Sequence, residues 1–322
     1  MTQLHETNVL PVNGIRMQYL SQGAGPLVIF LHGFPELGRS WRHQIGPVAT
    51  AGYRAVAPDL RGYGGTDAPA DPELYTQFHL AGDIVALIEA LGYEQAILVA
   101  HDLGAALAWS MAMTVPHRVR GLVALSVPHK PRGEKPPLAG THADFYQRRF
   151  QELGTPETDL ESNVATFLPG LFDRCSGTSS AGDPPALMVP PDHHFSSLFP
   201  APPHPPAWLG ETELRAYVEA FSRGGFRGPL NWYRNIDVNW HLSAPWWPGH
   251  VHVPAAYIVG DRDPVYAPFQ ANGIIASMAH TVPNLVSTRV LAGCGHWTAQ
   301  ERPGEVTQAI LEFLGYLDRT RT

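Results

Sequence analysis

Apolar residues in this chain come either in short solid runs or at helical spacing, and the two alternate. Leu27–Leu31 is wholly apolar and runs into His32-Gly33, as expected of a central strand buried on both faces. Trp41, Ile45 and Val48 then keep intervals of three and four from near Ser40 until Gly52, which predicts a helix. Residues 53–57 form the next run. Over residues 78–91, Ile84, Leu87, Ile88 and Leu91 return to helical spacing, and Gly92 closes that helix. Residues 97–100 form a third strand that passes through His101-Asp102-Leu103-Gly104 into a small, apolar helix over 105–113. Another strand follows at 121–127. Such alternation predicts an α/β fold, a mostly parallel sheet with helices on both faces.

The pattern changes after Pro128. Residues 129–252 carry helical stretches at 144–153, 159–167, 214–222 and 230–240, without a convincing strand. Prolines crowd residues 169–210, with serine, glycine and histidine among them, so that stretch reads as a long irregular excursion. At Pro254 strand-then-helix spacing resumes, with strands at 255–259 and 286–291 and a closing helix at 304–317. The expected organisation is therefore an α/β core, residues 1–128 and 253–322, split by a helical lid at 129–252.

With 322 residues and 44% hydrophobic content, the chain can bury a large core. A net charge of −7 without a basic block argues against nucleic acid or an acidic membrane surface as partner. The two cysteines, Cys175 and Cys294, suit a reducing compartment. No basic-then-apolar leader and no run of about 18 apolar residues is present, so a cytoplasmic location is expected. The loop at 59–67 is glycine-rich, but its spacing is not that of a dinucleotide site. His193, His194, His204, His250 and His252 lack a cysteine or carboxylate at ligand spacing, so no metal is expected.

Three polar residues follow strands at their C-terminal ends: Asp102, Asp263 and His296. Open parallel sheets build their sites on that edge. Small residues two before and two after Asp102 permit a sharp strand-to-helix turn that pushes its side chain outward, with aspartate in the place esterases give to serine. An aspartate there would also serve as a plain helix N-cap. The order nucleophile, acid, histidine is what favours catalysis.

His32-Gly33-Phe34-Pro35-Glu36, Asp59-Leu60-Arg61-Gly62-Tyr63-Gly64, His101-Asp102-Leu103-Gly104, Cys294-Gly295-His296-Trp297 and the stretch from Gly225 to Asn235 together resemble the epoxide hydrolases of the α/β-hydrolase fold. The lid stretch is the discriminating one. The resemblance implies that Asp102 opens an epoxide as nucleophile and that Tyr146 and Tyr233 protonate its oxygen. His296, oriented by Asp263, would then activate water against the resulting ester. It also implies an oxyanion hole from the backbone N–H groups of Phe34 and Leu103, a cis Phe34–Pro35 peptide, and pocket walls from Phe34, Pro35, Leu103, Phe150, Val265 and Trp297. The implied partners are a small hydrophobic epoxide and water, with no cofactor. Two departures stand out: Leu103 replaces a frequent tryptophan, and Arg148-Arg149 alter the stretch after Tyr146. The competing readings are a haloalkane- or haloacid-type dehalogenase with the same nucleophile, and a binding protein that has kept the pocket without turnover.

Overall fold

In the computed structural model, which describes residues 6–179, 187–271 and 273–320, the strands form one sheet. They are β1 Glu6–Val12, β2 Ile15–Gln22, β3 Leu27–Leu31, β4 Arg54–Pro58, β5 Ala96–His101, β6 Val119–Leu125, β7 Ala255–Gly260 and β8 Leu285–Leu291. Their spatial order is β1-β2-β4-β3-β5-β6-β7-β8. The β1–β2 and β2–β4 pairs are antiparallel and every later pair is parallel. The hairpin β1–β2 was not expected from the sequence. Strand β2 does alternate, with Ile15, Met17 and Tyr19 buried between Arg16 and Gln18, but β1 is largely exposed, and its exposed Val9 and Pro11 blur the period.

Helices cover both faces. On one side lie α1 Arg42–Thr50 and, at the chain's end, the helix Pro303–Arg319; on the other lie α2 Gln77–Ala90 and α3 Leu103–Thr114. Strand β3 shows why both faces fill: Ile29 and Leu31 pack with α2 and α3, whereas Val28 and Phe30 pack with α1 and the last helix. Successive side chains of a strand point to opposite faces, so a solid apolar run serves two cores.

Between β6 and β7 the chain leaves the sheet. It forms α4 Tyr146–Arg149, α5 Thr155–Ser162, α6 Val164–Arg174, α7 Glu211–Gly224, α8 Arg227–Arg234 and α9 Ile236–Leu242. Here the sequence-based boundaries shift. The helix expected at 144–153 is a single turn, α4. The stretch 159–167 divides at Asn163 into α5 and α6, and 230–240 divides at Asn235 into α8 and α9. Helix α6 continues through Pro169, so the irregular excursion starts after Arg174 rather than at 169. Burial of Phe167, Leu168, Leu171 and Phe172 offsets the hydrogen bond that proline cannot make.

After β7 come α10 Tyr266–Ala271 and α11 Ile274–Thr281; after β8 come α12 Thr298–Glu301 and the closing helix, α13 Pro303–Arg319. Among the described residues, no helix is long and apolar enough to cross a membrane.

Candidate active site

Asp102 stands between β5 and α3 with φ +51° and ψ −119°, a conformation rare for any residue with a Cβ. The turn is held from both sides. A Cβ on Gly104 would lie 2.4 Å from the His32 carbonyl oxygen, and one on Gly33 would lie 2.4 Å from the Asp102 Cβ. Position 100, by contrast, accommodates the alanine that stands there, buried in the strand. Strain of this kind persists where surrounding structure enforces it, and it clusters at functional sites.

The two carboxylate oxygens of Asp102 face different groups. Phe34 N–H donates to Oδ2 at 3.0 Å, and Phe34–Pro35 is cis. Oδ1 lies 4.0 Å from His296 Nε2. Leu103 opens α3, so its N–H is one of those a helix leaves without an intrahelical partner at its N-terminus.

His296 comes from the loop after β8 and is tied down through its backbone. Its N–H donates to the Cys175 carbonyl at 2.8 Å, and its own carbonyl accepts from His101 Nε2 at 2.8 Å. Its Nδ1 faces Asp263 Oδ1 at 3.0 Å and Ser126 Oγ at 3.2 Å. Burial alone would depress the imidazole, but Asp263 and then the Asp102 charge raise it to about 9. Burial would likewise raise Asp263, and the His296 charge reverses this and holds it below the usual carboxylate range. Beneath them His101 Nδ1 meets Glu36 Oε2 at 2.6 Å. Both His101 nitrogens face acceptors, so both carry protons and the ring is a buried cation. Burial pushes Glu36 up, but the His101 charge dominates and brings it to about 2.

Two phenols enter from the segment between β6 and β7. Tyr233 lies on α8, in edge-on contact with Phe34 (centroids 5.4 Å apart) and 5.8 Å from the Tyr146 ring. Burial is the largest influence on each and the Asp102 charge adds to it, so both hydroxyls stay protonated well above ordinary tyrosine. Tyr146 owes its place to the excursion. Its N–H donates to the Leu187 carbonyl at 3.1 Å, Phe145 pairs with Met188, and its ring stacks on Phe195 at 5.6 Å. Leu187 itself has φ +54°. The Tyr233 carbonyl accepts from Gln151 at 3.0 Å, and Arg234 pairs with Glu157 at 2.7 Å, so α8 is clamped to the segment that follows Tyr146.

These groups share one cavity of about 440 Å³, mouth included. Asp102, His296, Tyr146 and Tyr233 provide its polar atoms, and Phe34, Val265 and Trp297 line it as expected from the sequence. Phe150 does not line it: it lies behind, its ring 6.1 Å from Phe34 and 5.2 Å from Tyr233, wholly buried. Pro35 and Leu103 are also absent from the wall, Leu103 packing partly buried against the core. Leu171, Cys175, Leu187, Phe195 and Pro264 take those places. Pro264 adjoins Asp263 and was legible from that. The others are apolar lid residues distant in sequence, indistinguishable there from packing. A second, polar cleft between β2 and α7, lined by Gln18, Arg39, Asp59 and Arg223 among others, holds none of these groups.

Residues 26–303 match the α/β hydrolase fold family. The chain is 41% identical to epoxide hydrolase 3 of Siraitia grosvenorii over 94% of its length and 96% of that protein's. It is 38% identical to epoxide hydrolase A of Mycobacterium tuberculosis over 96% of its length and 97% of that protein's. Among solved structures, an epoxide hydrolase from an endophytic Streptomyces superposes with a TM-score of 0.93 at 37% identity, covering 98% of this chain and 97% of the other. An epoxide hydrolase from Vigna radiata gives 0.88 at 40% identity, over 98% and 99%.

Proposed function

We infer the reaction from one premise: the chain belongs to the epoxide hydrolases of the α/β-hydrolase fold. It adds water to an epoxide and yields a vicinal diol. We propose that Asp102 Oδ1 attacks a ring carbon, so that a carbon–oxygen bond forms there while the strained ring bond to oxygen breaks. The departing oxygen takes a proton from Tyr146 or Tyr233, and an ester remains on Asp102. One observation carries the proposal: an aspartate whose Oδ2 is held by Phe34 N–H shares a cavity with two protonated phenols from the lid. A carboxylate needs no base to act as nucleophile, and an alkoxide needs an acid to leave.

In the second half, His296 Nε2 takes a proton from water, and the hydroxide attacks the ester carbonyl carbon. Oδ2 becomes the oxyanion, held by the Phe34 N–H, with the Leu103 N–H at the start of α3 as the proposed second donor. Collapse breaks the acyl–oxygen bond; the alkoxide takes a proton from the His296 imidazolium, the new acid returns one to His296, and the diol leaves with the Asp102 carboxylate and charged imidazole restored. The electrostatics support a closed proton cycle. At rest His296 is held charged partly by Asp102. Esterification removes that charge, so the imidazolium gives its proton to the tyrosinate and becomes the neutral base that the water step requires.

Dehalogenation is disfavoured by the same geometry. Leu103 offers no side-chain donor for halide, and the Trp297 indole N–H is engaged by the Phe172 carbonyl at 2.9 Å. Among the described residues the cavity holds no charged group besides Asp102 and His296, which suits a small apolar epoxide. A panel of such epoxides, scored by chromatography of the diols, tests the reading. Wild-type protein should form diol and folded Asp102→Ala none; diol from the Asp102→Ala protein would overturn the assignment of the nucleophile.

A further inference from the structure

Four non-glycine residues among those described have positive φ: Asn13, Asp102, Ser126 and Leu187. Asp102 is the proposed nucleophile, and Leu187 walls the cavity and accepts from Tyr146. Asn13 lies in the β1–β2 turn, where asparagine adopts this conformation readily. Ser126 has no such reason. It follows β6 directly, wholly buried, with φ +69°. Its backbone is fixed by two hydrogen bonds: Ser126 N–H to the Ile258 carbonyl at 2.9 Å, and Tyr257 O–H to the Ser126 carbonyl at 2.6 Å. The strained conformation sets its hydroxyl 3.2 Å from His296 Nδ1.

Asp263 has room for a donor at that place. Its Oδ1 accepts from Val265 N–H at 3.0 Å and faces His296 Nδ1 at 3.0 Å, whereas Oδ2 is buried without a hydrogen-bond partner among the described residues. The Ser126 hydroxyl lies close enough to help hold the carboxyl low. Buried carboxylate oxygens are almost always satisfied. The Ser126 hydroxyl is the neutral group beside both His296 and Asp263; it has one proton to give and lone pairs to accept with.

We propose that Ser126 is a positioning residue of the ester-hydrolysis step, accepting from His296 Nδ1–H while donating to the Asp263 carboxylate. This rests on the ester mechanism proposed above. Ser126 thereby fixes the tautomer that leaves the Nε2 lone pair facing Asp102, and it keeps the ring from swinging off Asp263 when the Asp102 charge is lost. Its influence falls on the water step alone, because epoxide opening uses Asp102 and the tyrosines and needs no base.

Ser126→Gly removes the hydroxyl while keeping a backbone suited to positive φ. Ser126→Ala removes it with the same Cβ and the same strain as the native residue, and guards against a glycine effect. Rapid-quench single turnovers with wild type and both variants resolve ester formation from ester decay. Wild type should show an ester that forms and decays. Both variants should form it at the wild-type rate and hydrolyse it about 10-fold more slowly, the effect of one hydrogen bond to a charged group. Steady-state kcat then falls by the same factor with kcat/KM unchanged. A merely structural role predicts otherwise. The Leu125 carbonyl, next to Ser126, accepts from Asp102 N–H at 3.3 Å, so loosening this corner would slow both steps. Slowing of both steps, or of neither, overturns the proposal. Absence of any ester in wild type overturns the mechanism beneath it.

Discussion

At the scale of single residues, the site works by dividing charge among groups that burial would otherwise neutralise. In the proposed mechanism the two phenols act on one oxygen, so either can polarise it alone. Each Tyr→Phe change should slow epoxide opening by about 10–100-fold, the modest end of acid catalysis. The double variant should nearly abolish opening, a non-additive result. Single-turnover rates for Tyr146→Phe, Tyr233→Phe and the pair check this, and a fully active Tyr146→Phe would remove Tyr146 from the chemistry. For His296, burial lowers its titration while Asp263 and Asp102 raise it to about 9. Asp102→Asn removes one of those charges, as esterification does, so His296 should titrate at lower pH in that variant. Following the imidazole proton resonances against pH measures the shift; an unmoved midpoint would contradict the proton cycle. A raised value also has a stability consequence. The charged ring's contribution is complete below its unfolded value of about 6.5 and is lost as pH rises through about 9.

At the scale of elements, the proline-rich excursion turns from an apparent insertion into part of the machinery. Its described residues supply Leu187 and Phe195 to the cavity wall, and they pin Tyr146 by a backbone bond and a stacked ring. A four-residue helix such as α4 cannot hold a side chain by itself, since a single turn is costly to nucleate. Phe195→Ala should therefore cost about 3 kcal/mol of lid stability, the lower end for a buried phenylalanine. It should also raise the ratio of kcat/KM for bulky over small epoxides. Melting curves and a two-substrate comparison check both, and an unchanged ratio would place Phe195 outside the specificity wall. None of this could be read from the sequence. Prolines announce irregular backbone there, but Tyr146, the partner of Leu187 and Phe195, lies 41 and 49 residues upstream of them. Helix periodicity failed in the same region because the helices there are short and break at Asn163 and Asn235, and after Asn235 α9 buries no residue fully, so its residues carry no core stripe. The core elements were legible for the opposite reason: strands buried on both faces and helices packed on one stripe leave their period in the residues.

On the scale of the whole molecule, the parallel sheet ends three strands at one edge and so gathers Asp102, Asp263 and His296 from positions up to 194 apart in the chain. That gathering followed from strand order and from where polar residues interrupt apolar runs. The edge hairpin β1–β2 did not: β2 alternates over Ile15, Met17 and Tyr19, but β1 is largely exposed and its exposed Val9 and Pro11 carry no clear period. The polar pocket groups were legible, while much of the apolar wall was not. A carboxylate or histidine at a strand end departs from its surroundings, whereas a lid leucine does not. In the proposed mechanism water reaches the product through an ester on Asp102, and His296 acts only afterwards. His296→Gln, mixed with an epoxide substrate and examined by intact-mass spectrometry, tests it most directly. The protein should gain one substrate mass, approaching one equivalent and mapping to the peptide that contains Asp102. Consumption of substrate with the protein mass unchanged would contradict it, since water would then be attacking the epoxide itself.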